Sequence, residues 1–176
     1  MSLLLCYCWL LFLRWYNNIM KIFIGTDHAG YMLKEKLVSF LQIQGHEVVD
    51  KGAYEYNEDD DYPDFVVAVA REISKDPARS RGIVLGGTGE GEAIVANRFP
   101  HVRAIVYYGR VKPIVENESG ILHRSRAHND ANVLSLGARY FTEEDVMEIV
   151  NFWLSAPFSF DERHIRRLKK IDEINI

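Results

Sequence analysis

The sequence predicts an α/β fold, a single domain whose five-stranded parallel sheet is covered by helices on both faces. Two observations carry the prediction. Short apolar runs at Lys21 to Gly25, His46 to Asp50, Ile83 to Leu85, Val102 to Val106 and Asn132 to Leu136 alternate with helical stretches, the pattern of strands joined by crossovers. The third run also breaks into Gly86-Gly-Thr-Gly-Glu-Gly91 and then into Ala93, Ile94, Val95 and Ala96, which reads as buried strand, tight loop and helix start.

Composition agrees. A chain of 176 residues, 48% hydrophobic and 26% charged, suits one globular domain with a sizeable core. The formal net charge of -4 gives no reason to expect nucleic acid or an acidic membrane as partner. Both cysteines, Cys6 and Cys8, lie before Met20, so the body has no thiol for a disulfide, for zinc or for nucleophilic catalysis, and a reducing cytoplasm is the expected home.

Residues 1–19 differ from everything after them. Leu3 to Leu13 is an apolar run closed by Arg14, too short to span a bilayer unaided and without the flanks of a secretory signal. An upstream extension with the true start at Met20, a membrane-surface anchor and a helix docked on the body remain open readings, ranked in that order. The domain is accordingly taken as 20–176.

After the first strand, Tyr31 to Gln44 is predicted as a helix with Leu33, Leu37, Phe40 and Leu41 on one face, stopped by Gly45. The acidic loop Tyr54 to Asp61 lacks the spacing of a calcium-binding EF-hand and reads as a solvated loop. Tyr62-Pro-Asp opens a helix through Ser74 that Asp76-Pro ends. Val111 to Glu118 is expected to be helical. Thr142 opens a helix whose Val146, Ile149, Val150, Trp153 and Leu154 share a face, and Ser159-Phe-Asp-Glu162 reads as a capping box for a last helix that buries Ile165, Leu168, Ile171 and Ile174.

The glycine loop is the natural place for chemistry. Glycines at 86, 87, 89 and 91 let backbone approach a ligand, and free amides at the helix start favour an anion. It is neither a Walker loop nor G-x-G-x-x-G, and by itself it leaves open a phosphate cradle and a merely tight connection. Thr88 offers a hydroxyl and Glu92 a carboxylate, although a first-turn Glu is also an ordinary response to the helix dipole. Ligands of parallel sheets bind outside the carboxyl ends of the strands. Asp27 and His28 follow strand one, Thr88 and Glu92 follow strand three, His128, Asn129 and Asp130 come just before strand five, and Arg139 follows it, so all are expected to gather there. For His46, His101, His123 and the basic run Arg166 to Lys170, surface solvation is the default.

Seven blocks carry a family resemblance: Gly25-Thr-Asp-His-Ala-Gly-Tyr-Met-Leu-Lys-Glu35, Asp50-Lys-Gly52, Tyr62-Pro-Asp64, Gly86 to Asn97, Val102-Arg-Ala104, Ser125-Arg-Ala-His-Asn-Asp to Arg139, and Arg163-His-Ile-Arg-Arg167. From Met20 to about Ile174 the chain resembles the type B ribose-5-phosphate isomerase family, which also contains galactose-6-phosphate isomerase subunits. The resemblance implies a Rossmann-like sheet, no metal or cofactor, and a homodimer or dimer of dimers with the active site at the subunit interface.

It also implies roles. Asp27 and His128 open the furanose ring, and Glu92 is the base that moves a proton between the first and second carbons. Thr88 and the amides of Gly87, Gly89 and Gly91 stabilise the enediolate. Asn129 holds sugar hydroxyls, while His28, Arg139, Arg163 and Arg167 bind phosphate, some of them from the partner chain. Many members of the family carry a cysteine base where this chain has Gly86 and an apolar residue where it has Glu92; this sequence resembles the branch with the glutamate. The expected function is aldose-ketose isomerisation of ribose 5-phosphate and ribulose 5-phosphate in carbohydrate metabolism, through the pentose phosphate pathway. Another sugar phosphate, or a catalytically silent binding module, is the alternative. The segment from Tyr107 to Arg124 departs from the family pattern in length and polarity, which bears on the choice of sugar.

Overall fold

The computed structural model describes residues 19–109 and 120–174. Its strands are β1 (Lys21–Thr26), β2 (Glu47–Asp50), β3 (Ser80–Gly86), β4 (Ala104–Tyr107) and β5 (Val133–Gly137), all parallel, in the order β2-β1-β3-β5-β4. Among the described residues six α-helices complete it: α1 (Tyr31–Ile43), α2 (Tyr62–Lys75), α3 (Glu90–Ala96), α4 (Ile121–Asn129), α5 (Glu143–Ser155) and α6 (Glu162–Asp172). No helix among the described residues is long and apolar enough to cross a membrane.

Both faces of the sheet are buried, and the period-two alternation of the strands divides their side chains between two cores. Ile22, Ile24, Ile83, Leu85, Leu134 and Leu136 point to one face, where α1 and α5 supply Leu37, Leu41, Val146, Val150 and Trp153. Phe23, Val84 and Val133 point to the other, against Val66, Val69, Ala70 and Ile73 of α2 and Ala96 of α3. Burying each such side chain is worth about 1.5–3 kcal/mol, and truncating one to alanine costs about 2–5 kcal/mol.

The order of strands decides where a ligand can sit. From β1 the chain moves outward to β2 and then returns to β3 on the opposite side of β1, so a crevice opens above the carboxyl ends of β1 and β3. Thr26 Oγ1 donates to Leu85 O at 2.9 Å and closes the two strand ends against each other below it. Lys34 of α1, fully buried, donates from Nζ to Asp50 Oδ2 at 2.5 Å and to Ala53 O at 2.7 Å, pinning the end of β2 and the loop that follows. An ammonium so enclosed is tolerated because a carboxylate and a carbonyl meet it there.

Strand and helix ends fall within one or two residues of expectation except at β3, which begins at Ser80, three residues before the expected Ile83, and the Gly45 stop is found at φ 89°. The Thr142 helix start is a capping box closed by Asp145. Four expectations need correction or fall outside what is described. The helix expected over Val111 to Glu118 lies wholly within 110–119, outside the described residues. Helix α4 was not anticipated, because Ile121-Leu-His-Arg-Ser-Arg-Ala-His-Asn129 has too few apolar residues to show a stripe and buries Ser125 and Arg126 instead. The last helix has no capping box: Asp161 is its N-cap without a side-chain bond, while Ser159 Oγ lies 2.7 Å from His164 Nδ1. Nor is its apolar stripe buried in the single chain. Ile165, Ile171 and Ile174 are exposed and Leu168 only half-buried, because α6 leans on the body through His164.

Candidate active site

Two groups of predicted residues occupy two ends of the molecule. The first lies in the crevice above β1 and β3. Asp27, directly after β1, is buried, and its Oδ1 accepts from the amide of Ala29 at 3.0 Å, which caps the short 3-10 turn His28–Gly30. Burial raises its pKa, against the opposing pull of the Ala29 amide.

Across the crevice the glycine loop leaves β3. Gly89 takes φ 85° and its carbonyl accepts from Ser135 Oγ at 2.5 Å, so the loop is strapped to β5 at a backbone angle that favours glycine. Glu92 is 3% exposed, and its carboxylate folds back over the end of β3. Burial raises its pKa, and the charge of Asp27 adds to the rise, while backbone amides of the loop oppose both. Glu90 points the other way, exposed, its Oε1 accepting from Tyr108 OH at 3.0 Å. Of the two loop carboxylates, only Glu92 has the burial that raises a carboxylate pKa.

Thr88 stands exposed at the tip of the loop, its hydroxyl accepting from the amide of Glu90 at 3.3 Å. Arg139, two residues past β5, brings its guanidinium against Gly87, within 3.6 Å of where a Cβ would stand there. It is close enough to His28 for its charge to oppose protonation of that imidazole. The ring of Tyr62 covers Gly91 from the start of α2, a neighbour that its Tyr-Pro-Asp context marked only as a helix opening. One cluster therefore holds Asp27, His28, Gly87, Thr88, Gly89, Gly91, Glu92 and Arg139.

The acidic loop contributes a residue that sequence reasoning left in solvent. Asp60 is only 9% exposed at its side chain, and its Oδ1 meets both the amide of His28 at 2.9 Å and the ring Nδ1 at 2.7 Å. Nothing in an acidic run distinguishes the one member a tertiary contact draws inward. Asp27, His28 and Asp60 form the one group among the described residues whose possible ligand atoms lie within 4.8 Å of one another. With Nδ1 and Oδ1 engaged with each other, the trio reads as an acid-imidazole pair beside a second acid.

The second group lies at the opposite end. His128 and Asn129 close α4, and a residue that precedes a parallel strand stands at its amino end, so the expectation that they share the carboxyl edge is corrected. The His128 ring stacks on His164 of α6 at 4.3 Å, and burial, His164, Arg124 and Arg163 all lower its pKa. Neutral imidazole is the form that can exchange a proton. Asn129, Arg163 and Arg167 are exposed on the same side, the two arginines one turn apart on α6. Asp130, by contrast, is structural, paired to Arg126 at 2.6 Å and to Arg103 at 3.0 Å. Five residues of β5 at about 3.3 Å each set the two groups roughly 15 Å or more apart.

A cleft of about 970 Å³ between α4 and α5, lined by Tyr107, Leu122, Phe141, Ile149 and Phe152, contains none of these residues. Gly109 and Gly120 also line it.

Proteins similar to this chain in sequence and fold are known. The ribose-5-phosphate isomerase B of Mycobacterium tuberculosis is 38% identical over 154 residues, covering 88% of this chain and 89% of that one. The Escherichia coli protein of that name is 37% identical, covering 88% and 95%. Among solved structures, ribose-5-phosphate isomerase B of Mycoplasma genitalium with bound ribulose-5-phosphate superposes with a TM-score of 0.78 at 35% identity, over 87% of this chain and 94% of that one. The Thermotoga maritima ribose 5-phosphate isomerase gives 0.75 at 40% identity, over 88% and 99%. The model of the Ribose/Galactose Isomerase family matches residues 22–171, and the chain belongs to that family.

Proposed function

We propose that the protein is an aldose-ketose isomerase that interconverts ribose 5-phosphate and ribulose 5-phosphate. The observation that carries this reading is Glu92, a carboxylate buried beside Asp27 at the mouth of a glycine loop, with its pKa raised toward that of a general base. The relatives named for this reaction, and the ribulose-5-phosphate bound in the Mycoplasma genitalium structure, support the substrate.

In this reading the sugar binds as a ring, and Asp27 and His128 open it by moving a proton between the ring oxygen and the anomeric hydroxyl. Glu92 then takes the proton from the second carbon of the open aldose and returns it to the first, while a proton passes from the second oxygen to the first. Charge on the enediolate is met by the Thr88 hydroxyl and the amides of Gly87, Gly89 and Gly91. His28, Arg139, Arg163 and Arg167 hold the phosphate, and Asn129 the hydroxyls.

Such a site needs both groups of residues together, and in one chain the length of β5 separates them. We therefore assign the protein an assembly of at least two copies, in which His128, Asn129, Arg163 and Arg167 of one complete the crevice of the other. The exposed face of α6, with Ile165 and Ile171, supports such a contact. We place the enzyme in the cytoplasm, in line with a body that contains no cysteine.

The test is a panel of phosphorylated aldoses in deuterated water, followed by proton NMR for exchange at the second carbon. Ribose 5-phosphate should exchange and yield ribulose 5-phosphate. Exchange confined to a six-carbon or four-carbon phosphate would move the assignment to that sugar, and no exchange with any of them would overturn the isomerase reading.

A further inference from the structure

We propose that Asp60 is a positioning residue for His28, fixing the ring with Nδ1 as the donor and keeping it cationic, so that Nε2–H is presented to the phosphate of the sugar. The inference rests on the sugar-phosphate reading above and adds to it a residue that sets when the phosphate can bind.

Geometry carries it. Glu55, Glu58, Asp59 and Asp61 of the acidic loop are exposed, and only Asp60 turns inward. One of its oxygens receives two bonds from the same residue, the amide of His28 at 2.9 Å and ring Nδ1 at 2.7 Å. An acceptor facing a carboxylate oxygen at that distance would be repelled, so Nδ1 bears the proton and Nε2 is the nitrogen left for a ligand. The other oxygen, Oδ2, is buried and has no hydrogen-bond partner among the described residues. A carboxylate shut away from water with half its acceptor capacity unused is costly unless a cation stands against it. The imidazolium of His28 is the group placed to be that cation.

The groups around His28 come from every element that packs on it. Asp27 stands on the same turn, Asp60 on the loop before α2, and Arg139 past β5, while Tyr56 meets the ring edge-on at 6.4 Å. Two carboxylates thus oppose one guanidinium. The direction of the His28 pKa follows, raised chiefly by the hydrogen bond to Asp60, with burial and Arg139 opposing. A raised imidazole pKa keeps the cation to higher pH and loses it as pH rises through that value. A sugar phosphate becomes a dianion above about pH 6. Binding is therefore tightest between that pH and the pKa of His28, and Asp60 sets the upper edge of the window.

The experiment compares wild-type protein with Asp60→Asn, which keeps an acceptor oxygen and removes the charge. Imidazole nitrogen shifts of His28 are followed by NMR across pH in the free protein, and KM and kcat for ribose 5-phosphate are measured across the same range. His28 should titrate at least about one unit lower in the variant. KM above that point should rise about tenfold, and kcat should change less than about twofold because Glu92 is untouched. A His28 titration that is the same in both proteins, or a loss of kcat at unchanged KM, would overturn the proposal, and so would a lower melting temperature with no movement in either profile. Should the variant not fold, the wild-type spectrum decides, since a ring still protonated on both nitrogens above the ordinary imidazole pKa of about 6.5 supports the proposal, and a ring neutral there, with either nitrogen bare, contradicts it. Failure of the isomerase reading looks different. No aldose phosphate would then exchange deuterium, while the His28 titration would still show whether Asp60 governs the imidazole.

Discussion

The carboxylate of Glu92 occupies the space that a side chain at Gly86 would fill: a Cβ built on Gly86 would stand 1.7 Å from Glu92 Oε1 and 2.3 Å from its Cδ. The two positions compete for one place above the end of β3. The alternation that the resemblance implies, a cysteine at the first position in many members and a glutamate at the second in the branch this sequence resembles, then has a physical reason. In the proposed mechanism either arrangement would deliver a base to the same point.

Exchange of the two should therefore be possible. Glu92→Ala alone should lose activity by at least about a hundredfold, the lower range for a general base. Combining it with Gly86→Cys should recover part of the loss and make the remaining activity sensitive to thiol alkylation. Gly86→Ala by itself should fold, since the displaced group is the end of a flexible side chain, yet lose up to about a hundredfold in kcat through displacement of the base. Steady-state kinetics with and without an alkylating reagent check all three, and a double variant as inactive as Glu92→Ala would separate the two positions.

Glu92→Gln should abolish proton transfer and leave phosphate affinity nearly intact. The stability effect runs the other way. A carboxyl whose pKa is raised in the folded state disfavours its own ionised form there, so ionised Glu92 destabilises the fold above that pKa. The variant should melt at or above wild type at neutral pH, and its advantage should disappear as pH falls through the raised pKa. Melting curves at several pH values test the sign.

Activity in wild-type protein should rise with pH along a limb above the ordinary glutamate value of about 4.3, because Glu92 must be ionised to act as a base. Asp27→Asn removes a like charge and should lower the Glu92 pKa. Carbon NMR of the labelled Glu92 carboxyl reads that shift without relying on turnover, and an unchanged titration would show that burial alone sets it.

Arg163→Ala and Arg167→Ala should each raise KM, and charge-assisted contacts of about 1.5–3 kcal/mol imply roughly ten- to hundredfold. Mixing either variant with Glu92→Gln protein should restore part of the activity, since one shared site then receives every wild-type group. Mixtures that stay inactive despite demonstrated subunit exchange would return the arginines to a solvated face.

Removal of residues 1–19 should leave folding and activity unchanged. The sheet begins at Lys21, with β1 already paired on both sides by β2 and β3. A loss of several degrees in melting temperature would show that the segment packs on the body.

Much of this was legible in the sequence because it is local. Strand alternation is a two-residue pattern, and the glycine loop with Glu92 follows from the end of one buried strand. What was not legible depends on partners distant in the chain. Asp60 resembles its acidic neighbours until His28, 32 residues away, draws it inward. Ser159 has the spacing of a cap, yet its hydroxyl goes to His164. The polar helix α4 shows no apolar stripe because much of its buried face is Ser125, Arg126 and Ala127. The position of His128 was recoverable, since chain order alone puts a residue that precedes β5 at the opposite end from one that follows β3.

Lys34 has a consequence for how the molecule can be watched. An amine with no exposed surface cannot meet an acylating reagent until the chain around it opens, whereas Lys75 and Lys169, with side chains 62% and 77% exposed, react at once. Its labelling rate relative to theirs therefore measures how often Asp50 and Ala53 let go of the ammonium, and with them the start of the loop that carries Asp60. A single peptide in a mass spectrum thus reports the breathing of one wall of the crevice.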